Sequence, residues 1–423
     1  MTLPPGPRLP RAAQTLGWVA RPGPWLERLR DRYGDAFTLR IAHEGTWVML
    51  SDPEAVKQVF TGDPAQLHAG EANVILRPLL GPRSVLLLDG REHMAERKLM
   101  LPAFHGERMA GYAGLIGEVA AQEVASWPGG TPVAIRPRMQ ALTLEIVMRA
   151  IFGSRDQRLK EALARMLDWT MDPRKMLRVV LAGPDRIERT GFFDPAMRPV
   201  DELLRAEIRR RRASEDPGED VLSLLVEARH DDGAEMSESE IRDELLTLLV
   251  AGHETTATAL SWALERLARH PAAWERLHTG DEDYLDAVVR ETLRLRPVLP
   301  IVLRKLQQPM EIGGFELPAG VSVAPCIHLV HRRPDVYPDP HAFRPERFLE
   351  RPAGTYTWIP FGGGVRRCLG ASFALMEMKL VLRAVAGGIE RLGPDRPESE
   401  PVSRRAITLV PGRDARVVVS AYG

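Results

Sequence analysis

The stretch Phe361-Gly-Gly-Gly-Val-Arg-Arg-Cys368-Leu-Gly370 places one thiol between a glycine-rich turn and an apolar, proline-free run, Ala371 to Leu380, with helical periodicity. The spacing predicts that Cys368 sits where that helix begins. A helix N-terminus favours negative charge, and turn N–H groups aimed at the sulfur would lower the thiol pKa towards thiolate, the form that ligates metals. Gly362 to Gly364 permit positive φ or close approach to a large flat object, Phe361 can cover one side of it, and Arg366 can reach an anionic group. Two other readings compete. A lone cysteine at the edge of an apolar helix is commonly a small core residue. Glycines of this kind also cradle phosphate, but no Gly-Lys-Ser/Thr follows and no strand-turn-helix unit with an acidic partner accompanies them, which disfavours nucleotide binding.

The decapeptide resembles the haem-thiolate loop of the cytochrome P450 monooxygenases, with phenylalanine, glycine, arginine, cysteine and glycine at the family's spacing. The resemblance implies that Cys368 is the axial ligand of the iron of haem b. It also implies that Phe361, Gly362, Arg366 and Gly370 lie beside that cofactor.

Composition sets the frame for this reading. Of 423 residues, 44% are hydrophobic and 27% charged, as in a globular chain with ample material for a core. Formal net charge is zero, so the overall field gives no reason to expect nucleic acid or an anionic membrane as partner. Two cysteines, Cys326 and Cys368, are so few that a reducing compartment is expected, without a disulfide. No apolar run approaches the roughly 18 to 20 residues that span a bilayer. The expectation is a cytoplasmic, monomeric protein of one domain, residues 1–423, whose proline-rich segment 1–24 carries no membrane anchor.

Along the chain, Trp25 to Tyr33 reads as a short helix, Phe37–Ile41 with Thr46–Leu50 as a hairpin, and Asp52-Pro53 as the cap of a helix reaching Phe60. Residues 61–90 read as a long loop with short helical pieces, of the kind that covers sites. A helix is predicted over Arg91 to Met100. Several more follow between 107 and 230, broken at Trp127-Pro-Gly-Gly130, Asp172-Pro173, Gly183-Pro184 and Asp216-Pro217-Gly218. Met171 to Pro195 should connect two helices. Ser237-Glu-Ser-Glu240 has capping-box spacing and opens a proline-free run to His270, long enough for a helix of about 50 Å. Its apolar middle contains Ala251-Gly-His-Glu254-Thr255-Thr256, residues that contradict helix propensity in a way expected of functional sites. Tyr284 to Leu295 forms the next helix. Ile312–Pro318 and Val321–Ala324 read as strands, and Ala406–Val410 with Ala415–Ser420 as a terminal hairpin.

On these elements the family resemblance implies further roles. Asp89-Gly90-x-x-His93-x-x-x-Arg97 is similar to the helix whose histidine and arginine bind a haem propionate, with Arg304 in reach of the second. The stretch at Ala251 is similar to the oxygen-binding groove, where Glu254 and Thr255 would deliver protons to dioxygen, whereas His253 faces away as a structural residue. Glu291 and Arg294, with Arg347 in Phe343-Arg-Pro-Glu-Arg347, resemble the buried triad that locks the core; they are read as structural. Thr247, Val250, Ala251, Val298 and Val302 are the candidate substrate-pocket residues. The expected fold is mainly α with small β-sheets.

The implied activity is insertion of one oxygen atom from O2 into an apolar small molecule. Electrons would come from a separate donor such as a ferredoxin with its reductase, docking where Arg91, Lys98 and Arg367 offer positive charge. A peroxide-driven haem enzyme of the same fold and a non-catalytic haem-binding protein are the alternatives.

Overall fold

The computed structural model describes residues 2–421 except 105, 154–155, 171 and 216–217. Its axis is the helix Glu238–Ala268, 31 residues long. The predicted capping box closes at its start: Ser237 N donates to Glu240 Oε2 at 2.7 Å and Glu240 N to Ser237 Oγ at 3.2 Å. Two orphan amides are thereby satisfied reciprocally. Leu245, Leu246, Leu249, Leu260, Trp262, Ala263 and Leu264 are all buried, and buried residues cover most of the helix circumference rather than one stripe. Such a helix needs partners on most of its sides. It finds them in Ile135–Phe152, Ala371–Gly388, Asp194–Arg212 and Glu282–Leu295.

The β structure lies beside this helical bulk. The hairpin Ala36–Ile41 and Gly45–Leu50 forms as expected, with His43 and Gly45 at positive φ in its turn. Gly45–Leu50 then pairs in parallel with Ser322–Pro325, which pairs with Arg304–Leu306, completing a five-stranded sheet with Leu67–His68 at its edge. Gly313 and Gly314, both at positive φ, turn the small hairpin Met310–Ile312/Phe315–Leu317.

Three sequence expectations are corrected. The last strands do not pair with each other: Thr408–Pro411 pairs with Val402–Arg405, whereas Arg416–Ala421 pairs with Pro132–Ala134 and Ile389–Pro394. Ala406 at positive φ allows a tight turn before residue 408, and Asp414 and Ala415, also at positive φ, redirect the chain into another sheet. Pro173 and Pro184 open the short helices Pro173–Ala182 and Pro184–Arg189, since a missing N–H costs nothing at a helix start. The connection from 172 to 193 is therefore largely helical; its first residue, Met171, and the Asp216-Pro217 break lie outside the described residues. The third concerns Cys368. Its helix starts at Ala371 with Gly370 as the cap, three residues beyond the thiol.

No helix among the described residues is long and apolar enough to cross a membrane.

Candidate active site

Cys368 lies in a tight turn. Its N–H donates to Phe361 O at 3.0 Å, and Gly362 and Gly364 take positive φ. The glycines have separate reasons. A Cβ on Gly363 or Gly364 would collide with Phe60, so these two make room for the Pro53–Thr61 helix. Gly362 would meet only Val302, at 3.7 Å, and is the one glycine of the three left open for a further group. The thiol is reached by solvent although protein lies around most of it. Burial pushes its pKa up, and the Gly370 amide, Arg97 and Arg367 pull it back only in part. The expected lowering by helix and turn is thus outweighed by desolvation, and a bound metal is what would deprotonate the sulfur.

Around the thiol stands a set of cations. Arg97, on Gly90–Met100, feels the charge of Cys368 and is half-buried. One turn earlier, His93 is buried, with Nδ1 lacking a hydrogen-bond partner among the described residues. Burial and the fields of Arg366, Arg97 and Arg304 push it down to about 3, so the imidazole is neutral. Arg304 is buried on the sheet; burial and Arg366 lower it to about 10. Arg366 pairs with Asp89 Oδ1 at 2.5 Å and also donates to Val85 O and Leu88 O. Three guanidinium groups thus converge with one carboxylate to balance them. Low-polarity surroundings make such a surplus costly without further anions.

On the central helix, Leu248, Ala251, Gly252 and Thr255 form one accessible stripe on a helix buried along its other faces. The Thr255 hydroxyl donates to Ala251 O at 2.6 Å, consuming the carbonyl's side of the groove. Glu254 is buried and turned elsewhere: Gln140 Nε2 donates to its Oε2 at 2.7 Å and Arg405 stands 3.7 Å from its Oε1. His253 faces Thr143 on Ile135–Phe152, at 2.8 Å, and burial with Arg405 nearby pushes it down to about 4. Of the candidate pocket residues, Val250, Val298 and Val302 are half-buried, whereas Thr247 is buried with its hydroxyl on Ser84 Oγ at 2.7 Å. Leu86, Leu248, Val250 and Leu369 all pack against the same apolar cluster.

Glu291, Arg294 and Arg347 come together in the core. Arg294 donates to both Glu291 oxygens, at 2.6 and 2.8 Å, and Arg347 Nε to Glu291 Oε1 at 3.1 Å. Arg294 also donates to the carbonyls of His331, Pro340 and Ala342.

A family model described as cytochrome P450 matches residues 4–385. The chain belongs to the cytochrome P450 family. It is 43% identical over its full length to the Mycobacterium tuberculosis protein that carries the name cytochrome P450 135B1, covering 92% of that protein. It is 38% identical over 98% of its length to cytochrome P450 135A1 of the same species, covering 94% of it. Among solved structures, the retinoic acid-bound cyanobacterial CYP120A1 superposes with a TM-score of 0.89 at 26% identity, over 100% of both chains. The cytochrome P450DA heme domain does so with a TM-score of 0.85 at 26% identity, over 100% of this chain and 98% of that one.

As a cytochrome P450 monooxygenase, the protein uses haem, dioxygen and an electron-transfer partner. The residues present fit haem: a solvent-reached thiol, a cation surplus that two propionates would balance, and a buried imidazole nitrogen without a hydrogen-bond partner among the described residues.

Sequence reading missed Asp89, Gln140 and Arg405 as site residues. Asp89 enters the sequence reading only as the first residue of the motif that carries His93 and Arg97, and the other two approach Glu254 from distant segments without any motif of their own.

Proposed function

We propose that the chain binds haem b through Cys368 Sγ and inserts one oxygen atom from O2 into an apolar small molecule, with electrons delivered by a ferredoxin and its reductase or a similar donor. When bound, the haem supplies the one-electron and dioxygen chemistry, tuned by its thiolate ligand.

The remaining work falls to the chain. His93, Arg97 and Arg304 receive the two propionates, the first through its free Nδ1. Arg366 acts through Asp89 and through the carbonyls of Val85 and Leu88, holding the cysteine turn to the preceding loop. Phe361, Gly362 and Gly370 shape the turn around the sulfur. Ala251 leaves room in the central helix, and the Thr255 hydroxyl, anchored on Ala251 O, presents its oxygen at the groove. Glu254 stores a proton at its carboxylate and reaches the groove by leaving Gln140. Val250, Val298 and Val302 exclude water from the substrate side, and Thr247 supports that wall from behind. Glu291, Arg294 and Arg347 hold the core geometry.

The observation that carries this reading is the cationic rim around the thiol: Cys368 acts on Arg97, and Arg97, Arg304 and Arg366 all act on His93. The deciding experiment has two parts. The purified ferrous protein with carbon monoxide should show the red-shifted Soret band of a thiolate-ligated haem, and Cys368→Ala should abolish it. Turnover should then require dioxygen, NAD(P)H and a ferredoxin system. Oxidation of candidate substrates by peroxide alone would favour a peroxygenase, and none under either condition a non-catalytic haem protein.

A further inference from the structure

Asp89 stands at the N-cap of the helix Gly90–Met100, yet its side chain makes no capping bond there. An aspartate in that position ordinarily accepts from an amide of its own first turn. Here the carboxylate serves other segments. Its Oδ1 accepts from Gly70 N at 2.8 Å and its Oδ2 from Glu71 N at 2.9 Å, while Arg366 donates to Oδ1 at 2.5 Å. Gly70 makes the approach possible, because a Cβ there would stand 2.7 Å from Asp89 Oδ2 and 2.2 Å from Leu87 O. Three donors from two other segments thus meet on one carboxylate.

Each of those segments leads to a different part of the candidate site. Arg366 lies two residues before Cys368 and also donates to Val85 O at 3.2 Å and to Leu88 O. Gly70 and Glu71 follow closely on the strand Leu67–His68, which pairs with Arg304–Leu306, His68 opposite Lys305. Lys305 strengthens that link by pairing with Glu71 at 3.4 Å. Leu67, Arg304, Gly363 and Arg366 line one narrow crevice, so the strand and the cysteine turn meet there. Two guanidinium groups bordering one crevice repel each other unless an anion stands by. Among the described residues, Asp89 is the one carboxylate bonded to either, and its bond is to Arg366.

We propose that Asp89 is a positioning residue that fixes the cysteine turn relative to the strand carrying Arg304, and thereby the spacing between the iron ligand and a propionate partner. The role rests on the haem-thiolate function proposed above. Its physical basis is that an ionised carboxylate accepts from an arginine on one side and from two backbone amides on the other, and charge-assisted bonds of this kind are stronger than neutral ones. The His93 helix forgoes a local cap, and the two halves of the site gain a tie.

The test compares Asp89→Asn, Arg366→Gln and the double variant in the full chain. Hydrogen–deuterium exchange without haem comes first. Asp89→Asn should lower protection of residues 70–73 and of 367–368 together, on the order of tenfold. Arg366→Gln should lower protection at 70–73 as well, although it touches none of them, because the tie is cut at its other end. In the haem-loaded chain, Asp89→Asn should speed haem transfer to apomyoglobin by about tenfold, and its ferrous carbon monoxide complex should lose the red-shifted Soret band sooner than the wild type. In the Arg366→Gln background the same substitution should add less than about twofold. Wild-type protection at 70–73 in Arg366→Gln, a Soret band in Asp89→Asn as durable as the wild type's, or full additivity in the double variant would each overturn the tie. If Asp89→Asn does not fold, exchange at 70–73 in Arg366→Gln decides alone. A wild type that takes up no haem would overturn the proposed function, whereas the haem-free exchange would still decide on Asp89.

Discussion

Glu254 and Arg405 face each other across 3.7 Å between the central helix and the strand Val402–Arg405, and Gln140 Nε2 donates to the other Glu254 oxygen at 2.7 Å. Thr255, the next residue, is bonded to Ala251 O instead. Consecutive helical side chains point about 100° apart, so the carboxyl and the hydroxyl serve different neighbours in this conformation. Arg405 also stands 3.6 Å from the exposed Asp168 on Gln157–Thr170, which links the acid outward to solvent.

If Glu254 supplies protons, its loss should matter only when protons must be supplied. Glu254→Gln should lower NAD(P)H-driven turnover by about 100-fold or more, with much less effect on peroxide-driven oxidation, since peroxide brings its own protons. Comparing the two rates on one substrate checks this. Equal losses would remove the proton-donor role.

The cationic rim makes a claim about haem retention. If these two residues hold the propionates as proposed, Arg304→Ala and His93→Ala each delete a charge-assisted or neutral bond worth about 1–3 kcal/mol. Haem transfer to excess apomyoglobin should accelerate by roughly 10- to 100-fold for Arg304→Ala and less for the neutral His93. Rates equal to wild type for both would place the propionates elsewhere.

The buried triad predicts an asymmetric cost. Glu291→Ala leaves two buried guanidinium groups without their shared anion and should cost about 3–5 kcal/mol in chemical denaturation. Glu291 and Arg294 are both inaccessible to solvent. A loss under about 1 kcal/mol would mean that water enters and screens the pair.

Glu377 is fully buried on the helix Ala371–Gly388, and burial pushes it up to about 8, offset only in part by the Thr256 hydroxyl. A pKa raised in the folded state means that the native protein holds a proton the unfolded chain has released. The resulting stabilisation is complete below about pH 4.5 and is lost as pH rises towards 8. Glu377→Gln should therefore flatten the pH dependence of Tm between about 5 and 8. Parallel Tm profiles for wild type and variant would contradict it.

Electron-donor docking at Arg91, Lys98 and Arg367 is weaker at one position than the sequence suggested. Arg91 and Arg367 are exposed, whereas Lys98 pairs with Asp231 at 2.7 Å. Arg91→Glu and Arg367→Glu should slow reduction by ferredoxin at low salt more than Lys98→Glu does, and the difference should fade at high salt. Unchanged rates at low salt would move the docking face elsewhere.

Local chemistry made much of this molecule readable in advance. The Ser237–Glu240 box, the hairpin at His43–Gly45, the Thr255 back-bond and the turn at Cys368 each depend on residues close in sequence, where propensity and side-chain reach are enough. What local chemistry could not decide is every quantity set by distant segments. The partner of the last strand, the ionisation of Cys368 and the direction in which Glu254 points depend on which groups arrive from elsewhere and how much water they displace. Desolvation and long-range charge have no sequence spacing, so they exist only once the chain has closed around them.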